Sequence, residues 1–209
     1  MPLSKLALID YGIGNLRSVA KALSHVGADI DVIEEPVVLD HYTGVVLPGV
    51  GHFGACVSAL RDSGFDDLIF QCIDGGIPLL GVCVGLQMLF EGSEESPDTG
   101  GLGILPGRVL RFNEGERVPQ MQWNTISIVD AFVESPLLSG ITNSKWMYFV
   151  HSYYAPVGDY TSAIATYGVD YSASIEREAL FATQFHPEKS SKEGLKILDN
   201  FVSIATIER

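Results

Sequence analysis

Three short, uninterrupted apolar runs constrain this chain most: KLALID (5–10), GVVLP (44–48) and PLLGV (78–82). A strand with one wet face alternates apolar and polar residues. A continuous run suits a strand covered on both faces, as in a parallel sheet between helices. Helical periodicity fills the intervals. Leu16, Val19, Ala20, Leu23 and Val26 share one helix face, and Gly27 stops that helix. A strand near 28–33 follows, residues 54–75 predict a helical pair, and VGLQMLF (84–90) predicts the helix after the fourth strand. The second helix of the pair carries Phe65, Leu68, Ile69, Cys72 and Ile73 as its stripe. Such alternation predicts an α/β fold whose central, mostly parallel sheet is covered by helices.

After residue 107 the texture changes to shorter, more polar segments: RVLRF, QWNTISIV, WMYFV, SAIATY, SASIE and LFATQF. These predict an antiparallel or mixed extension in the C-terminal half. A last helix over about 191–205 turns Leu195, Leu198, Phe201 and Val202 inward. No linker, low-complexity tract or internal repeat divides the sequence, so residues 1–209 read as one domain.

Charge narrows the function. Lys plus Arg total 13 against 26 Asp plus Glu, a formal net charge of −13. A field of that sign disfavours nucleic acid and anionic membranes as partners. From residue 22 to 107 Arg61 is the only basic side chain, so any patch that docks an anion is expected from the C-terminal half. Residues 41–60 and 75–90 lack charged side chains, but glycines, a proline and two histidines break the first, and the second is shorter than the roughly 20 residues that span a bilayer. The N-terminal apolar run is too short for a signal peptide. Cys56, Cys72 and Cys83 make neither an even set nor a CxxC pair, which disfavours disulfides and zinc and fits a reducing, cytoplasmic setting.

The strongest chemical signal is GVCVG (81–85), between a buried strand and a helix. It has the form of a nucleophile elbow with cysteine in the serine position. The tight turn strains the nucleophile's backbone, and small flanking residues prevent collisions. Cys83 then opens a helix, where unpaired N–H groups favour thiolate. A thiol of ordinary pKa is only a few per cent ionised at neutral pH, so a base is also needed. QFHPEKS (184–190) supplies one. Pro187 holds His186 extended, and Glu188, two residues on, can accept from the imidazole and set its tautomer. Taken alone, Cys83 is equally a buried cysteine and His186 a surface residue; the elbow and the H-x-E spacing favour chemistry.

PGVGHFG (48–54) contains G-x-G-x-x-G at Gly49, Gly51 and Gly54, and GIGNLR (12–17) matches in part, so dinucleotide binding competes. Pro48 before the first glycine, with His52 and Phe53 inside the turn, makes a poor pyrophosphate cradle. Its backbone N–H groups suit an oxyanion equally well. No cofactor or metal is expected.

With Cys83, PGVG and HPE together, the sequence resembles the triad (class I) glutamine amidotransferases, and within them the glutaminase subunits of imidazole glycerol phosphate synthase, of histidine biosynthesis. IDYGIGNLRS, LPGVGHFG, GVCVGLQMLFEGSEE, GLGILPG, WN (123–124), YFVHSYY (148–154) and QFHPEKSS carry the resemblance along nearly the whole chain. The DYGxGN opening, PGVG and the HPEKS ending separate it from the anthranilate synthase glutaminases. The resemblance implies a flavodoxin-like glutaminase fold in which Cys83 attacks the glutamine amide, His186 shuttles the proton and Glu188 orients it. It also implies an oxyanion hole from Val84 and the Val50–Gly51 segment, with the Gly49–Val50 peptide as the moving part. Gln87 and Glu95 match positions that hold the glutamine head group, and Ser152 and Tyr153 meet its carboxylate. The implied partner is a (β/α)8-barrel cyclase that receives the ammonia and makes imidazole glycerol phosphate and AICAR phosphate. One departure is Met121-Gln122-Trp123-Asn124, where the family commonly reads M-G-W-N; a changed loop near the nucleophile is expected there. A cysteine hydrolase for another acyl group, a glutaminase serving another synthase and a non-catalytic scaffold remain as rivals. Gln87 and Glu95 disfavour the first, and an intact triad disfavours the last.

Overall fold

The computed structural model describes residues 5–207. Residues 1–4, at the head of the run judged too short for a signal peptide, and residues 208–209 lie outside them. The first half alternates as expected: β1 (Lys5–Ile9), α1 (Leu16–His25), β2 (Asp29–Ile33), β3 (Gly44–Gly49), α2 (Phe53–Asp62), α3 (Phe65–Asp74), β4 (Leu79–Cys83) and α4 (Val84–Gln87). The remainder comprises β5 (Phe90–Ser93), β6 (Ser96–Gly100), β7 (Leu105–Arg111), β8 (Gln120–Ile128), β9 (Lys145–His151), β10 (Tyr153–Tyr154), β11 (Thr161–Tyr167), β12 (Val169–Arg177), β13 (Leu180–Thr183) and α5 (Ser191–Thr206).

Nine strands form the main sheet, in the order β2-β1-β3-β4-β13-β12-β11-β8-β9. The pairs β2–β1, β1–β3, β3–β4 and β4–β13 are parallel, and the rest antiparallel. The continuous apolar runs occupy the middle: Leu6, Leu8, Val45, Leu47, Leu79 and Leu80 are wholly buried. Each such side chain contributes about 1.5–3 kcal/mol relative to exposure. At the edge, β2 shows Asp29 and Val32 to solvent, and Lys5 bridges to Asp31 at 2.8 Å. Charged side chains of this kind discourage edge-to-edge pairing.

Two expectations need correction, and two features carried no local signal. The helix read over 84–90 ends at Gln87, because Phe90 starts β5 in a second sheet of order β10-β7-β5-β6. The polar, glycine-rich stretch containing β5 and β6 carried no strand signal, and its strands exist through pairing with each other and with β7. LFATQF supplies β13, antiparallel to β12 as expected of a mixed extension, and its other edge lies parallel to β4 with Thr183 opposite Val82, a pairing no local pattern marked. Finally, Gln122 lies within β8 opposite Phe149, exposed, so it alters a strand face and not a loop.

Candidate active site

The carboxyl ends of parallel strands are where an open α/β sheet forms its crevice. Here β3, β4 and β13 end together, and a cleft of about 440 Å3 opens beside them. Cys83 closes β4 with φ +56° and ψ −110°, a positive φ that residues other than glycine rarely adopt. Strain of this kind costs about 1–3 kcal/mol and needs surroundings that enforce it. Three glycines enforce it by close approach. A Cβ on Gly85 would lie 2.2 Å from the Leu47 oxygen, one on Gly49 2.6 Å from the Gly85 nitrogen, and one on Gly81 3.1 Å from the Gly85 carbonyl. The spacing G-x-C-x-G thus follows from backbone contact between β3, β4 and α4. As α4 has only four residues, the expected helix dipole shrinks to the few N–H groups of one turn.

His186 reaches the cleft from the segment after β13. Its N–H donates to the Tyr148 carbonyl at 3.0 Å, and Ser190 Oγ both donates to the His186 carbonyl (2.7 Å) and accepts from the Tyr148 N–H (2.9 Å). That clamp onto β9 explains the serine of HPEKS. His186 is extended, as the following proline implies, with φ −94° and ψ 98°; Pro187–Lys189 then forms a 3-10 turn that brings Glu188 Oε1 to 2.9 Å from His186 Nδ1. Both side chains are nearly sealed, at 2% and 1% exposure. Burial pulls the imidazole pKa down, but contact with the Cys83 sulfur and then with Glu188 outweighs it and pushes the value up to about 10. Both contacts favour the imidazolium, and among the described residues Nε2 has no hydrogen-bond partner besides the sulfur it faces. Glu188 Oε1 also accepts from Asn15 Nδ2 at 3.3 Å, which brings the GIGN loop to the site.

The cleft is lined by Val50, Gly51, Cys83, Val84, Gln87, Glu95, Ser152, Tyr153 and His186, all singled out in the sequence; Glu188 stands one layer behind His186. Asn15, Pro119, Val150, His151 and Lys189 line it too; all but Pro119 lie in motifs noted above, but none had been given a role at the site. Glu95 Oε2 accepts from the Phe53 N–H at 2.7 Å. A carboxylate thus occupies the start of α2, where a dinucleotide would put its pyrophosphate. That removes the G-x-G-x-x-G reading of residues 49–54. Gln87 donates Nε2 to the Tyr153 carbonyl (2.9 Å) and to Gln184 Oε1 (3.0 Å), so only its oxygen remains for a ligand.

Above the nucleophile, the Tyr11 hydroxyl donates to the Pro48 carbonyl at 2.9 Å and the Cys56 thiol donates to the Val50 carbonyl at 3.3 Å. Burial pushes both groups upward in pKa, which keeps them as donors. His151 is the reverse case. Burial lowers it to about 4, the Tyr153 carbonyl opposes that at Nδ1, and the charge on His186 adds to it. It is a neutral ring with an unpartnered Nε2.

The family model described as "Glutamine amidotransferase class-I" matches residues 7–205. Among solved structures, PurLQS from Thermotoga maritima superposes with a TM-score of 0.77 at 18% identity, covering 97% of this chain and 99% of that one. A crystal structure of a glutamine amidotransferase gives 0.74 at 20% identity, covering 96% and 99%. Fold and family together place the chain among the class-I glutamine amidotransferases.

Higher identity narrows the class. Imidazole glycerol phosphate synthase subunit HisH of Methanothermobacter thermautotrophicus is 47% identical over 200 residues, covering 95% of this chain and 98% of that protein. The HisH subunit of Synechococcus sp. (strain JA-3-3Ab) is 48% identical over 203 residues, covering 95% and 93%. The chain belongs to the HisH family, the glutaminase subunits of imidazole glycerol phosphate synthase.

Proposed function

We propose that this cleft hydrolyses glutamine to glutamate and ammonia and that the ammonia passes to a (β/α)8-barrel cyclase, which makes imidazole glycerol phosphate and AICAR phosphate. The single observation that carries the chemistry is Cys83 on its strained elbow beside a buried His186 whose far nitrogen is held by Glu188. Cys83 Sγ attacks the side-chain carbonyl carbon of glutamine, and the carbonyl oxygen takes up negative charge. The Val84 N–H and a donor from the Val50–Gly51 segment answer that charge. His186 gives its Nε2 proton to the departing nitrogen, the C–N bond breaks, and ammonia leaves a glutamyl thioester. His186, now neutral, takes a proton from water, whose oxygen displaces sulfur and releases glutamate. Gln87 and Glu95 face the substrate's amine and amide protons as acceptors, while Ser152 and Tyr153 meet its carboxylate.

Geometry around Val50 supports a gated oxyanion hole. The carbonyls on either side of the Gly49–Val50 peptide are anchored, by Tyr11 and by Cys56. Glycine at 49 makes rotation of that one peptide sterically cheap.

A partner is supported by the face of β8 and β9 at the mouth. Met121, Trp123 and Trp146 are 63%, 44% and 58% exposed and share that face with Tyr148 and Val150, and Val150 itself lines the cleft. Exposed aromatic clusters of this kind mark docking sites. Co-purification with a barrel cyclase, followed by glutamine-dependent cyclisation, tests the assignment: no turnover with glutamine in a complex that turns over with ammonia rejects it.

A further inference from the structure

We infer that Gln184 is a positioning residue whose side-chain N–H holds the Cys83 sulfur in its reactive form and orientation. This rests on the proposed role of Cys83 and adds a residue that the triad does not include.

The register of β13 on β4 carries the chain past Thr183, opposite Val82, so that Gln184 comes alongside Cys83 and His186 follows two residues later on the same side. Gln184 is fully buried, and its Nε2 lies 3.8 Å from Cys83 Sγ, within hydrogen-bond reach for sulfur. A backbone group decides which way the two amides face. The Tyr153 carbonyl can only accept, so the atom of Gln87 facing it must be Nε2. That same Nε2 lies 3.0 Å from the Gln184 amide, which must present its oxygen. The nitrogen of Gln184 is then left for the sulfur. Gln87 Nε2 thus donates both ways, to Gln184, whose own Nε2 faces the sulfur, and to the Tyr153 carbonyl, which His151 Nδ1 also meets at 2.8 Å.

A donor aimed at sulfur favours the thiolate over the thiol. It also ties the nucleophile to Gln87, so a ligand that engages Gln87 acts on the same network. The other titratable groups near the sulfur are His186 and, behind it, Glu188 from the β13 extension, Tyr11 from the loop after β1 and Cys56 from α2, with Glu95, His151, Tyr153 and Lys189 elsewhere in the cleft. All remain in the variants below.

The test is alkylation of Cys83 by iodoacetamide as a function of pH, in Gln184→Met and Gln184→Glu. Methionine keeps bulk and removes the donor. Glutamate keeps the shape and the bond from Gln87 but turns an oxygen toward the sulfur. The pH midpoint of alkylation is expected to rise by about one unit in Gln184→Met, a tenfold effect, and further in Gln184→Glu. A purely structural role predicts an unshifted midpoint in Gln184→Glu, and that result in folded protein overturns the inference. In the wild type, the side-chain amide resonance of Gln184 should titrate with the alkylation midpoint; failure to do so overturns it without any variant. Wild-type protein in which iodoacetamide never reaches Cys83 would instead count against the nucleophile assignment.

Discussion

The Gly85 Cα stands so close to the Leu47 carbonyl oxygen that a Cβ there would lie 2.2 Å from it. Backbone on both sides leaves nothing flexible to yield. Gly85→Ala is therefore expected to destabilise the protein by about 3 kcal/mol or more and to displace Cys83, whereas Gly115→Ala, with open space around it, is neutral. Urea denaturation of the two variants checks this. Equal midpoints would mean that the elbow relaxes at no cost.

Loss of Cys83 would remove the proposed attacking atom and little volume. Cys83→Ala is expected to lower glutamine hydrolysis by at least about a thousandfold while leaving the fold and partner binding intact. Steady-state assay and co-purification measure the two halves independently. Substantial residual glutaminase would take Cys83 out of the mechanism.

His186→Ala separates ammonia production from its use. In the complex with the barrel cyclase, turnover driven by glutamine should vanish while turnover driven by added ammonia survives, because His186 touches only the glutaminase cleft. Equal loss with both nitrogen sources would assign His186 a structural task.

His151 has a visible effect on acid stability. Its folded pKa is about 4 against an ordinary 6.5, so between those values the unfolded chain binds more protons than the folded one. Stability therefore rises with pH across that window, is fully present above about 6.5, and is lost as pH falls toward 4. The slope from this one group is at most about 1.4 kcal/mol per pH unit. His151→Gln should flatten the acid limb of stability measured by urea denaturation from pH 4 to 7; an unchanged slope contradicts the assignment.

Glutaminase turnover of the isolated chain is expected to be slow and to rise about a hundred- to a thousandfold with the cyclase and its nucleotide substrate bound. One oxyanion donor, delivered by rotation of the Gly49–Val50 peptide, is worth roughly 2.7–4 kcal/mol. Partner and nucleotide must favour one orientation, since equal affinity for both shifts nothing. Rates measured alone, with cyclase, and with cyclase plus nucleotide decide it; three equal rates reject the gate.

Local patterns in the sequence foretold most of the first half because its strands are buried on both faces and its helices are amphipathic. Both signals are written within a few consecutive residues. β5 and β6 had no such signal: FEGSEESPDTGG becomes strand only because β5 pairs with β7 on one side and with β6 on the other. The parallel pairing of β13 with β4 joins segments about a hundred residues apart and leaves no local trace. The candidate site divides in the same way. Cys83, His186 and Glu188 sit in motifs whose spacing expresses their geometry. Asn15 and His151 lie in the DYGxGN and YFVHSYY motifs, but only tertiary contacts reveal what they do at the site. Gln184 did have a signal, since it precedes His186 by two residues in an extended segment, but its partner across the sheet could be known only from the register.

Reaction with a diazo-norleucine analogue of glutamine tests the central claim most directly, because the reagent must first bind as glutamine and then meet the nucleophile. Peptide mapping of the labelled complex is expected to place one adduct on Cys83, with Cys56 and Cys72 unmodified and labelling suppressed by excess glutamine. An adduct on Cys56 or Cys72, or labelling that glutamine does not suppress, would contradict it.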